Sequence, residues 1–136
     1  MRAQGIILRS IGVVLLSAAV YASAADNQTV TVKGFVLDSA CAFTKGLTKP
    51  VSKECARSCA KAGSPLVILA DGGDIYWPIA DKMPATGQNA KLLPFAGEWI
   101  TATGKVYQRG GSKAIAIDKL ELQAASAHHQ QKPKQN

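Results

Sequence analysis

Cys41, Cys55 and Cys59 are the only thiols of this 136-residue chain, and all three fall within residues 38–63, DSACAFTKGLTKPVSKECARSCAKAG. Sulfur at these positions opens three kinds of chemistry. Two thiols can close a disulfide that staples a loop. Three thiolates on one site can hold Cu(I), or Zn(II) with a fourth ligand. One bridge beside a spare thiol can serve thiol-disulfide exchange. Cys55 and Cys59 are spaced one helical turn apart, which sets their sulfurs too far apart for a bond unless the helix distorts. A bridge from Cys41 to either one closes a loop of about 15 to 19 residues and contributes roughly 3 kcal/mol. The third thiol is then left over, either buried or able to link two copies as a disulfide-bonded dimer.

The other residues decide among these readings. His128 and His129 are the only histidines and sit near the C-terminus, where they could close over an ion held by the thiols. Asp38 and Met83 are weaker candidate ligands, explained respectively as a strand-end polar residue and a gap-filling core residue. Copper or zinc is thus the only cofactor the chain suggests. For exchange, Lys53, Arg57 and Lys61 supply positive potential, but from the helix face opposite the thiols, and there is no Cys-x-x-C. A hydrolytic triad lacks its histidine base outside residues 128–129. Asp71 and Asp74 are accounted for by a turn. Cys-x-x-C-His, P-loop and dinucleotide-binding patterns are absent. The expectation is a non-enzymatic binding or accessory module with a disulfide-stapled loop. The metal carrier is the alternative, with the exchange protein third.

The elements that must position the cysteines follow from periodicity. Residues 29–38 alternate Val30, Val32 and Val36 against Thr31, Lys33 and Leu37, a strand with one buried face. Gly34 lies on the inward parity and predicts a bend or bulge. Residues 45–50 read as loop. Ser52 then caps a helix over residues 53–62 that Gly63 stops, with Cys55, Cys59, Ala56 and Ala60 facing the domain. Residues 65–70 and 75–80 are apolar runs about a Gly-Gly turn, a hairpin whose second strand Pro78 ends or places at an edge. Residues 81–97 are loop with one helical turn near residues 90–93, and Leu92, Leu93 and Phe95 plug the core. Residues 98–107 turn inward Ile100, Ala102, Gly104 and Val106. After a turn at residues 109–112, residues 113–122 alternate again, with a bulge near Asp118 and Lys119.

Strand, cysteine loop with helix, two strands, helical connector and two strands is the order of a mainly β, five-stranded OB-fold-like barrel with a short cysteine-bearing helix between strands 1 and 2. A β-sandwich would need about seven strands. OB-folds bind oligomers across the second and third strands, between the loops after strands one and four. Tyr76, Trp99 and Tyr107 could form a stacking platform for a sugar or peptide, with Lys33 and Lys105 flanking it. Trp77 shares the parity of Ile75 and Ile79, and is assigned to the core.

The pattern VKGFVLDSAC, ECARSCAKAGSPLVIL and GEWITATGKVYQRGGSKAIAIDKLEL resembles that of small exported bacterial OB-fold-like proteins with one cysteine after the first strand and a Cys-x-x-x-C helix before the second. The resemblance covers residues 29–122 and implies fold and compartment, but no activity. The Cys-x-x-x-C pair also resembles the copper-binding pair of exported copper-delivery proteins that assemble respiratory oxidases. That likeness is limited to two residues, on a different fold and without the partner histidine.

The start of the chain sets the compartment. Arg2 and Arg9, the apolar run of residues 11–20 and Ala22-Ser23-Ala24 read as a signal peptide over residues 1–24, cleaved after Ala24. A domain over residues 25–123 and a disordered tail over 124–136 follow. The run is shorter than a membrane span, so a periplasmic or secreted protein without a transmembrane anchor is expected. Losing Arg2 and Arg9 leaves fourteen basic against nine acidic residues, and the charge falls from +7 to +5. That is far from the dense basic stripe of a nucleic-acid binder, so the expected partner is a periplasmic protein or small ligand and not a nucleic acid.

Overall fold

The computed structural model describes residues 28–47 and 51–124. The expected signal peptide, His128 and His129 lie outside the described residues. Five strands close a barrel in the order β1, β2, β3, β5, β4. β1 (Gln28–Asp38), β2 (Leu66–Ala70), β3 (Ile75–Pro78), β4 (Trp99–Arg109) and β5 (Ser112–Leu122) pair antiparallel, except for β3 with β5, which are parallel. This is the expected OB-fold-like arrangement. Among the described residues no helix is long and apolar enough to cross a membrane.

The long first strand makes the closure. Its first part pairs with β4 and its last part with β2, and Gly34 and Phe35 pair on both sides. The register runs through Gly34 without a shift, so of the expected bend or bulge the bulge is absent, and the glycine marks a close approach. A Cβ there would stand 2.7 Å from the Leu69 carbonyl oxygen and 2.8 Å from Ile68 Cγ2. The bulge expected in β5 is present, because Thr103 pairs with Lys119 and Gly104 with Ile117, which leaves Asp118 unpaired.

Three helical pieces hang on this frame. α1 (Ser39–Thr44) was not anticipated from the sequence, although Asp38 carries the mark of an N-cap. α2 (Lys53–Lys61) starts as expected, with Ser52 Oγ accepting the Cys55 backbone N–H at 3.1 Å. Ala56 and Ala60 are buried, while Lys53, Arg57 and Lys61 are exposed. α3 (Asn89–Leu92) runs into one 3-10 turn, Leu93–Phe95, and of the three expected plugs Leu92 is fully buried, while Leu93 and Phe95 pack against the core partly exposed. Leu37, Ile68, Leu92, Ile100 and Ile115 are the largest apolar side chains sealed inside.

Asn89 fixes α3 to the segment that delivers β2. Its Oδ1 accepts the Leu66 backbone N–H at 2.8 Å, and its Nδ2 donates to the Ser64 carbonyl at 2.7 Å. This clasp replaces strand pairing where the chain passes from α2 into the barrel, and it satisfies backbone groups that packing would otherwise strand.

Candidate functional site

Cys41 follows directly on the end of β1, and Cys55 and Cys59 lie on α2. Asp38, only 1% exposed, is the sole buried charged residue among those described. As N-cap of α1 it accepts the Cys41 backbone N–H on Oδ1 at 3.0 Å. Its Oδ2 is buried without a hydrogen-bond partner. Cys41 is buried, and Cys55 and Cys59 are partly buried on α2.

Electrostatics tie Cys41 and Cys59 to this carboxylate. Cys41 ionises above the ordinary thiol range, first because side-chain hydrogen bonding to Asp38 favours the protonated thiol, then because of burial and the negative charge of Asp38. Cys59 is also raised, by desolvation first, then by the charge of Asp38 and by Cys55. The end of β1 thus places one buried carboxylate within electrostatic reach of Cys41 and Cys59.

The disulfide expected from Cys41 to the helix is not formed. All three cysteines are free, and no pair is at disulfide distance. Backbone hydrogen bonds do the pinning instead: Ser39 N–H donates to the Pro65 carbonyl at 2.9 Å, and Asp38 holds α1 against the strand end. Among the described residues no three histidine, cysteine or acidic side chains stand ready in metal-binding geometry. Met83 lies far from any core role, 86% exposed.

A second feature lies on the outer face of β3. A cleft of about 380 Å³ opens between α1 and the β2–β3 and β4–β5 turns, lined by Phe43, Ile75, Trp77, Gly110, Gly111 and Lys113, among others. Phe43 is 69% exposed, and its ring lies 6.4 Å from that of Trp77. Lys113 pairs with Asp74 and sits 5.8 Å above the Tyr76 ring, and its ammonium is stabilised in the charged form chiefly by Asp74.

The expected platform residues are spread apart. Trp99 packs against Phe35 at 5.4 Å on the β1–β4 side of the barrel. Lys33 is exposed on β1, and Lys105 faces Asp81 at 3.9 Å. Tyr76 lies under Lys113. Tyr107 shares a row across the sheet with Trp77, through Ala114, but does not line the cleft. Trp77 shares the parity of Ile75 as expected, and it packs half-buried against the core while one side lines the cleft. Phe43 and Lys113 were missed. The only sequence signal for Phe43 was the Asp38 cap, which starts a helix and so turns that side chain toward β3.

No protein-family model matches the chain, and no curated protein or solved structure is significantly similar to it.

Proposed function

We propose that this chain is an exported, non-enzymatic binding module that holds a small ligand or peptide segment in the cleft between α1 and the two turns. The observation that carries the reading is Phe43: a large aromatic ring left in solvent opposite a second aromatic wall costs hydrophobic free energy that a ligand would recover. The cleft also lies between the loops after the first and fourth strands, over the third, where OB-folds bind oligomers. That part of the support is analogy of fold. Trp77 with Phe43 and Ile75 gives an apolar wall, and Lys113 with Asp74 gives a polar end. A sugar ring or a peptide side chain with one flat face suits both. Thiol exchange is less well supported, because Cys41 and Cys59 ionise late and thiolate is the attacking species.

The test is tryptophan fluorescence and amide chemical-shift titration of the full chain with short oligosaccharides and peptides. A binder should shift Trp77, Ala114 and Lys113, and Phe43→Ala should weaken it by roughly tenfold, as loss of one stacking side chain does. Shifts that avoid these residues, or equal affinity in the variant, would sink the reading.

A further inference from the structure

The basic face of α2 has a wall beside it. Arg57 Nη2 donates to the Pro94 carbonyl at 3.5 Å and Asn89 Nδ2 to the Ala60 carbonyl at 3.5 Å, so α3 and its 3-10 turn run alongside α2 in the opposite direction. Between them lies a groove of about 310 Å³, lined by Arg57 and Lys61 from α2 and by Ala90, Leu93 and Pro94 from the facing segment. Both cations are exposed, as are Ala90 and Pro94, and Leu93 is half-buried. The neighbouring lysines are committed elsewhere: Lys53 pairs with Glu98, and Lys91 Nζ donates to the Ile117 carbonyl. Among the described residues no ion pair engages Arg57 or Lys61, and no acidic residue lines the groove. The helix dipole accounts for Lys61 in the last turn of α2, but neither for Arg57 in its middle nor for the apolar wall.

We propose that this groove binds an extended acidic segment of a partner protein, with the pattern acid, apolar, acid. Charge complementarity names the outer two side chains: carboxylates facing Arg57 and Lys61, with the guanidinium suited to a two-pronged hydrogen bond. Spacing agrees. Residues four apart on a helix are separated by roughly 6 Å along its axis, and side chains two apart on an extended chain by roughly 7 Å. The residue between the two acids points the other way, onto Leu93 and Pro94. A lone phosphate would leave that apolar wall uncovered, and a lipid surface would meet a recess where an inserting apolar side chain is needed. The groove shares no residue with the cleft beside Phe43, so the two sites are separate.

The experiment is fluorescence anisotropy of a labelled, end-capped peptide with glutamate, leucine and glutamate in that order at its centre, titrated with the full chain. Control peptides replace both glutamates by glutamine, or the leucine by serine. Inorganic phosphate and vesicles containing anionic phospholipid form the other arms. The expected result is saturable binding of the first peptide that weakens with added salt and is at least about tenfold tighter than that of the glutamine control. Arg57→Gln and Lys61→Gln should each weaken it by about tenfold, with far-UV circular dichroism unchanged because both side chains are exposed. Ala90→Glu, which sets a negative charge on the facing wall, should weaken it as well. Amide shifts should centre on Ala90 and Leu93 and spare Trp77. Equal affinity for either control peptide, affinity untouched by both glutamine substitutions, shifts confined to the Phe43 cleft, or phosphate or vesicle binding without peptide binding would each overturn the proposal.

Discussion

A thiol that ionises late is a slow nucleophile near neutral pH, and both Cys41 and Cys59 are of this kind. Alkylation of the folded chain, read site by site from peptide masses, should therefore lag a free thiol at these two positions at about pH 8.5, where an unperturbed cysteine is half ionised. Their rates should go on rising past that point. A plateau at or below the free-thiol value would refute the assignment. The same shift has a thermodynamic side. The unfolded chain loses these protons at the ordinary value and the folded chain later, so the stability they contribute is whole below about pH 8.5. It is lost as pH rises through the folded values. Denaturant midpoints should fall on the alkaline side, and more gently in Cys59→Ala. At this scale the sequence was legible in residue type but not in environment. Cysteine spacing pointed to the site, yet nothing in DSAC announces that Asp38 is buried with one oxygen unpaired. That depends on where β2 and α2 pack.

Elements with local signals read well. Ser52 before a run with alanines four apart declares α2, because capping and helix phase are decided within one turn. The β5 bulge was visible because a phase change is itself a local pattern. α1 was missed since six residues carry too short a period to show. Asn89 tests the architecture at this scale. Replacing it with alanine leaves the Leu66 N–H and the Ser64 carbonyl without their side-chain partners, which costs about 1–3 kcal/mol. The melting temperature should drop by several degrees, on the order of 4–8 °C per kcal/mol in a domain of this size. Gly104→Ala should be worse, because its Cβ would stand 2.1 Å from the Ala116 carbonyl oxygen. A melting curve unchanged by either substitution would mean that the clasp and the close approach contribute nothing.

The barrel as a whole is unevenly sewn. β4 and β5 are paired along nearly their full length, whereas β3 holds β2 through two residue pairs and β5 through three. Amide hydrogen exchange should open this β3 seam before the β4–β5 hairpin. Simultaneous exchange, or β4 leading, would contradict the expectation. Strand order was legible from strand count and the position of the helical connector, since few topologies close five short strands. The pairing of β3 with β5 in parallel was not, because it depends on how the connector crosses.

The uneven pairing has a further consequence, for how copies of the chain meet. Beyond Lys113, Ala114 and Ile115, β5 pairs with β4 alone among the described strands, which leaves its other side without a strand partner. The unpaired Asp118 breaks that side's regular outline, Lys119 and Glu121 charge it, and Lys91 Nζ occupies the Ile117 carbonyl. A second molecule seeking to continue the sheet would meet a kink, charge and a carbonyl already taken. The bulge that looks like a flaw in pairing thus acts against aggregation. Deleting Asp118 to restore a flat edge should lower solubility while leaving the ligand cleft intact.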